Sequence, residues 1–436
     1  MKFSSLLAAA WAIVVSCLIC GCGDTFRPVA TPLPQPSPDP QAFRLAVFTS
    51  CQLDPNPPNP NNPCLASGAT SQVSDVNVSG DTIEGVVPVG HSPVFALVQN
   101  NSGIVVQVTT ADFDNDTVTQ HGDSHLSNPA NVTAPVTIGL TPGAKPSFVA
   151  SAGGSLYVAE SGRNVVGVLG GSPLALTAEI SVGVTPVNLA VLPNSTKTYV
   201  VNQGSGSVTV ISAADNSVLT TIPVGASPVW AVASADSSHV YVVNQGSGTV
   251  SVIDATSDLV VATLQVGISP NYAAFDAKNQ RVLITNSGSA SLSVISADPT
   301  LPPTLFLKSV TNVTVGANPR SVTALADGTR VYVANTGSNS VSVINSLSLA
   351  VSKTIAVGKS PVSIASDTDS AKVMTANRDS FDISVILTSN DSELTDSAGN
   401  PQRIVAPPVN PLDPNCAPTA TSGCARLSPV FISMGR

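Results

Sequence analysis

The stretch Val240-Tyr241-Val242-Val243-Asn244-Gln245-Gly246-Ser247-Gly248-Thr249-Val250-Ser251-Val252-Ile253 decides the fold. Two short runs rich in β-branched residues flank a Gly/Ser turn, the pattern of an antiparallel hairpin. The same text returns along the chain. An asparagine stands sixteen residues after a proline at Asn202, Asn244, Asn286, Asn335 and Asn377, and nine residues later an isoleucine stands at Ile211, Ile253, Ile295, Ile344 and Ile386. Two offsets held through five copies mark an internal repeat. Its punctuation is Gly-x-x-Pro, found seven times, with Pro93, Pro146, Pro186, Pro228, Pro270, Pro319 and Pro361 spaced 53, 40, 42, 42, 49 and 42 residues apart.

A unit of this length with four apolar runs separated by turn residues is one four-stranded propeller blade. Seven markers predict an all-β chain folded as a seven-bladed β-propeller of four-stranded antiparallel blades over residues 82–388. The glycine is expected to end the outer strand in a conformation that other residues resist, and the proline to open the next inner strand where no ladder donor is lost. Small and medium apolar residues follow the proline, as in Trp230-Ala231-Val232-Ala233. Blade seven lacks a clear fourth strand after Ile386. Thr82 to Val89 is expected to supply it from the N-terminal side and latch the ring, with Arg403 to Val405 as the competing candidate. Leu427 to Ile432 resembles Arg44 to Phe48 in composition, so the two segments are candidates to pair, at a place the sequence does not give.

The strings Tyr199-Val200-Val201-Asn202, Tyr241-Val242-Val243-Asn244 and Tyr332-Val333-Ala334-Asn335 are each followed by Ser/Thr-Val-Ser/Thr-Val-Ile and then Val-Gly-x-x-Pro. They resemble the YVTN β-propeller repeat of the YncE-like group. The likeness is strong from Ile180 to Ile386 and weaker from Thr82 to Val182, where blade two carries Glu160 in place of the asparagine. The resemblance implies an exported propeller, in a group that includes surface-layer and envelope proteins. Similar blades occur in lactonases and in quinone- or copper-dependent oxidoreductases, so the fold alone does not assign an activity.

Charged residues make up 10% of the chain and the formal net charge is −9. Helical surfaces rich in Glu, Lys and Arg are therefore not expected, and an acidic chain lacks the basic footprint of a nucleic-acid binder. The N-terminus reads as an address. Lys2 precedes an apolar run from Leu6 to Ile19 that closes on Ile19-Cys20-Gly21-Cys22, a pattern resembling a bacterial lipoprotein signal. Residues 1–21 are the expected signal peptide and Cys22 the expected lipidation site, with Cys17 the other cysteine such a signal could use. Residues 22–42 are proline-rich and form the expected extended tether.

Seven cysteines are present. With Cys17 and Cys20 removed and Cys22 lipidated, Cys51, Cys64, Cys416 and Cys424 remain, an even number in an oxidising compartment. Pairing of Cys51 with Cys64 and of Cys416 with Cys424 is expected, in an N-terminal flank at 43–81 and a C-terminal flank at 389–436. Four cysteines allow three connectivities.

Groups that could carry chemistry are few. The four histidines, His91, His121, His125 and His239, are too few for a multi-histidine metal centre, and no hydrolase nucleophile motif is present. The blade-one insertion holds Asp112, Asp114, Asp116 and Asp123, whose spacing resembles a calcium loop; Thr117 stands where the EF-hand needs glycine. His121 and His125 in the same loop offer a transition-metal alternative. A second pattern is a cationic sector. His91, Lys145, Arg163, Arg320, Lys359 and Arg378 fall in the face loops of blades six, seven, one and two, whereas the same loops of blades three to five are neutral. They form a candidate site for an anionic partner. The expected protein is thus a monomeric, lipid-anchored envelope propeller, facing the periplasm or the cell surface. It binds a protein, peptide or glycan through one loop-rich face, with no cofactor and no chemistry of its own. The alternatives are a lactonase-like or metal-dependent hydrolase and a structural surface-layer component.

Overall fold

The repeat builds its hairpins as read, but the ring holds one blade more than the markers count. The computed structural model describes residues 45–53, 64, 71–78, 80–101, 105–123, 134–297, 310–367, 369, 371–408 and 426–434. Among these residues the strands form eight antiparallel sheets, seven of four strands and one of five. Seven of the sheets begin at the marker prolines. The eighth takes its inner strand, Ser428–Met434, from the C-terminal flank and its other three, Leu45–Cys51, Ser71–Asn77 and Thr82–Pro88, from the N-terminal side.

The expected seven-bladed ring is therefore corrected to eight blades. Thr82 to Val89 does not complete blade seven; it is the outer strand of blade eight. The fourth position of blade seven is filled by two short pieces, Ser392–Glu393 and Ile404–Val405, both paired with Asp382–Leu387. Both flanks of the chain thus enter the propeller. The composition match between Leu427–Ile432 and Arg44–Phe48 has a physical cause, since the two segments lie side by side, with Phe48 opposite Ile432 and Thr49 opposite Phe431. Closing a ring with strands from both ends of the chain leaves no free inner edge at the seam.

Alternation along each strand buries both faces, one against each neighbouring blade. In blade three, Tyr199 and Val201 pack with Val240 and Val242 of blade four, while Val200 and Ile211 pack with Tyr157 and Val166 of blade two. Blade eight meets blade seven in the same way, through Ala46, Phe48, Val76 and Ile432 against Met374, Ala376, Ile383 and Val385.

Polar latches add to these seams. Lys197 of blade three reaches Asp258 of blade four at 2.7 Å, and the Tyr199 hydroxyl donates to the same carboxylate at 2.6 Å. Arg330 and Tyr332 of blade six grip Asp391 of blade seven. Lys372 of blade seven reaches Asp81 of blade eight at 2.7 Å, so the closing seam uses the device of the others.

Six of the seven marker glycines have a different reason from the one expected; Gly143, with φ 84°, sits in the left-handed region as expected. Gly225 does not sit in the left-handed region. A Cβ there would lie 2.5 Å from the Ser247 hydroxyl and 2.7 Å from Asn244 Cγ, so the site admits no side chain at all. The left-handed residue is the one just before the proline, such as Ser227 with φ 47°.

Candidate functional site

The site is assembled by a bulge repeated around the ring. In blades one to seven the pairing of inner and second strands shifts just after the marker proline, as between Pro186 and Asn188 or between Pro319 and Ser321. In blade eight the same irregularity skips Val430. A bulge leaves one residue outside the ladder and re-aims its side chain. Here the eight bulged residues are Val94, Ser147, Val187, Val229, Asn271, Arg320, Val362 and Val430, and all eight line one axial cavity of about 480 Å³. Its mouth carries Phe113, Ser161, Thr185, Gln203 and Gln245. These belong to the Gly-x-x-Pro turns and to the loops after the second strand, which join through Gln203 N to Thr185 O at 2.9 Å and Gly204 N to Val184 O at 2.9 Å.

Two of the three polar bulge residues are satisfied by the wall itself. Ser147 donates to the carbonyls of Ala159 and Pro186, and Asn271 donates to Pro319 O at 3.2 Å while accepting from Thr285 at 2.7 Å. Arg320 differs. Among the described residues its side chain makes no ion pair and no hydrogen bond, and burial together with the nearby Arg378 lowers its pKa from the usual guanidinium range. Carboxylates and phosphates are the groups whose geometry an unpaired guanidinium matches.

The other members of the expected cationic sector are placed as follows. Arg163 is held by Glu160 at 3.1 Å and by Glu179 at 2.5 Å. Arg378 pairs with Asp379 at 2.8 Å. The Lys145 ammonium lies 5.7 Å from the centre of the Phe113 ring, a cation–π contact. Lys359 is exposed, and its backbone N–H is held by the Ser380 hydroxyl at 2.8 Å. His91 keeps an enclosed Nδ1 without a hydrogen-bond partner. The face is shared by these groups, but only Arg320 lines the cavity.

The blade-one carboxylates are not gathered into one ligand set, and no metal-binding group of three His, Cys, Asp or Glu side chains occurs among the described residues. Asp112 is buried at the position of the repeat asparagine, opposite Pro93, and accepts from Thr119 at 2.6 Å and Thr117 at 3.2 Å. Burial pushes its carboxyl up to about 6 against those hydrogen bonds. Asp114 accepts from Ser92, and Asp116 accepts the backbone N–H groups of Gly143 at 2.7 Å and Lys145 at 2.8 Å. Asp123 ends the third strand of the blade, remote from the turn in register.

In blade two Glu160 takes the asparagine's place; burial raises it to about 7 although Arg163 pulls the other way. His121 is buried against Asp75 of blade eight, with Nε2 3.3 Å from Oδ2, and His239 contacts the Ser238 hydroxyl at 2.7 Å. Cys51 and Cys64 form the expected disulfide, with their Cα atoms 5.7 Å apart. Cys22, His125, Cys416 and Cys424 lie outside the described residues.

The cavity itself was missed by sequence reasoning. Its signal was the residue after each marker proline, a position that is valine in five of the eight blades and arginine in one.

No family model matches the chain, and no curated protein matches it in sequence. Solved structures do resemble it. AztD from Citrobacter koseri aligns over 90% of this chain and 99% of its own, with a TM-score of 0.58 at 12% identity. A putative 6-phosphogluconolactonase from Bacteroides uniformis aligns over 73% of this chain and 98% of its own, with a TM-score of 0.52 at 14% identity. A second such putative lactonase, from Bacteroides fragilis, aligns over 90% of this chain and 98% of its own, with a TM-score of 0.52 at 12% identity. At these identities the likeness establishes a shared propeller fold and nothing finer.

Proposed function

We propose that the chain is an exported, lipid-anchored propeller of the YVTN type that binds an anionic ligand on its loop-rich face, without chemistry of its own. The observation that carries this reading is Arg320, an unpaired guanidinium on the wall of an axial cavity whose other polar bulge residues are already satisfied. An anion entering there gains a charge-assisted hydrogen bond without breaking an internal pair. The exposed Lys359 at the same face adds to the attracting field, and Gln203 and Gln245 at the mouth offer neutral donors and acceptors. The Cys22 signal and the proline-rich tether support an address at a membrane, which would hold the cavity clear of the surface on an extended spacer.

The test is thermal melting with acetate and with inorganic phosphate, comparing the native chain with Arg320→Gln. A saturable rise in melting temperature with either anion, absent in the variant, is the expected result. Equal behaviour of the two proteins with both anions overturns the reading.

A further inference from the structure

Opposite Arg320 the same cavity has a wall of a different kind. Five of the eight residues two positions beyond the inner-strand proline are aromatic: Phe95, Phe148, Trp230, Tyr272 and Phe431. Their rings form an unbroken arc. Centroids lie 4.8 Å apart from Phe431 to Phe95, 3.9 Å from Phe95 to Phe148, 5.4 Å from Phe148 to Trp230 and 4.6 Å from Trp230 to Tyr272. The arc covers blades eight, one, two, four and five. In an eight-membered ring, blade six with Arg320 stands across the axis from blade two with Phe148.

We propose that the axial cavity binds an amphipathic monoanion, a flat ring-bearing body laid against the aromatic arc with its single carboxylate paired to Arg320. The inference rests on the anion-binding reading above and adds the body of the ligand to it. Aromatic faces and edges take a flat apolar body by stacking or edge contact, which supplies affinity, while one charged group fixes its orientation. The cavity volume falls within the range of small-molecule sites. A single charge follows from the cations present: Arg378 is already paired with Asp379, so among the described residues Arg320 is the one unneutralised guanidinium lining the space.

The chain carries two tryptophans, Trp11 and Trp230. In the full chain with Trp11→Phe, Trp230 becomes the only tryptophan and reports from the cavity wall. Emission is followed during titration with naphthoate, with neutral naphthalenemethanol and with acetate. Naphthoate is expected to change the emission saturably and to bind at least about tenfold more tightly than either other probe. Arg320→Gln should remove that advantage over the alcohol, and Arg320→Lys should retain part of it.

The unliganded emission maximum and far-ultraviolet circular dichroism show whether each variant is folded; Arg320→Lys carries the test if Arg320→Gln is not. Naphthoate binding no better than acetate overturns the amphipathic class but leaves the anion site standing. Naphthoate binding no better than the alcohol, or undiminished in a folded Arg320→Gln, overturns both.

Discussion

In blades three to seven the carboxamide of the repeat asparagine donates to side-chain oxygens five and seven residues further on. Asn244, for example, reaches Thr249 at 3.1 Å and Ser251 at 3.0 Å. In blade one the carboxylate of Asp112 accepts from Thr117 and Thr119 at the same two offsets. The backbone is shared and the direction of the hydrogen bonds is reversed, because a hydroxyl can donate as well as accept. Blade two keeps the position but not the knot. Glu160 turns to Arg163, and the residue seven further on is Gly167, where a Cβ would lie 2.5 Å from the Glu160 carboxylate.

In blade eight Ser50 occupies the place opposite Pro429, and its hydroxyl is buried without a partner, as is that of Ser74. Blades three to six thus tie each second strand to its third with neutral side chains that do not titrate, whereas in blade seven Asn377 donates to the Asp382 carboxylate at 2.7 Å. Blades one, two and eight use carboxylates, or nothing, and are therefore expected to be the weaker and pH-dependent part of the ring.

The largest expected effect tests whether closure holds the ring together. Ile432, on the inner strand of blade eight, is 2% exposed and packs into the core shared with blade seven. Ile432→Asp places an unpaired charge there and should cost about 4 kcal/mol or more. Urea denaturation reads the loss. Hydrogen exchange should show the amides of residues 45–51 opening before those of blades three to five. Blade-eight amides that stay as protected as those of blade four would break the comparison.

Asp112→Asn is the next largest. The folded-state pKa of about 6 lies above the ordinary value of 3.8. Between those values the folded chain binds more protons than the unfolded one, so the stability contributed by Asp112 is complete below about pH 4 and is lost as pH rises through 6. The swing is about 3 kcal/mol for two pKa units. Asparagine does not titrate and can donate to both threonines. The stability of the native chain relative to the variant should therefore fall by that order between pH 4 and pH 7.5 in urea titrations, and a constant difference would remove the pH-dependent half of the comparison.

Glu160 and Gly167 sharpen it further. Gly167→Ser alone should destabilise by about 1–3 kcal/mol through overpacking. In the Glu160→Asn background the same serine stands where Ser251 stands in blade four, and its cost should largely vanish. A coupling of at least about 1 kcal/mol in the double-mutant cycle is expected; additivity within error would mean that the two positions do not share the knot.

What the sequence made legible follows the same division. The five copies with asparagine and isoleucine at fixed offsets gave the blade, its strands and its face loops correctly. The eighth blade stayed hidden because Arg426 stands where the marker glycine should, and because its second strand carries Ser50 rather than asparagine opposite the proline. Ser428-Pro429-Val430-Phe431 nonetheless matches Ser227-Pro228-Val229-Trp230, and aligning on the proline alone would have found it. Arg320 was visible as a charge. Its importance was not, since a bulge and the lack of a partner are properties of the assembled ring. The roles of Asp112, Asp114 and Asp116 were not legible either: carboxylates two residues apart resemble a cation loop in sequence, and only the strand register shows each one holding its own donors.

The smallest effect concerns the turn between third and fourth strands, where the chain must adopt the left-handed region. Asn216, Asp258, Asp391 and Asp81 do so in blades three, four, seven and eight, and Asn and Asp tolerate it well. Blade six places Leu349 there, with φ 52°. Asp258 also receives Lys197 of the preceding blade, whereas Arg281, the corresponding cation before blade six, reaches only the carbonyl of Ser346. Leu349→Asp therefore relieves backbone strain of about 1 kcal/mol and gives Arg281 a carboxylate. The lost packing of Leu349 against the Val331 and Ile344 cluster opposes this. A net gain of about 0.5 kcal/mol in urea titrations is expected; a net loss would mean that blade six depends on its leucine more than its neighbours depend on their latches.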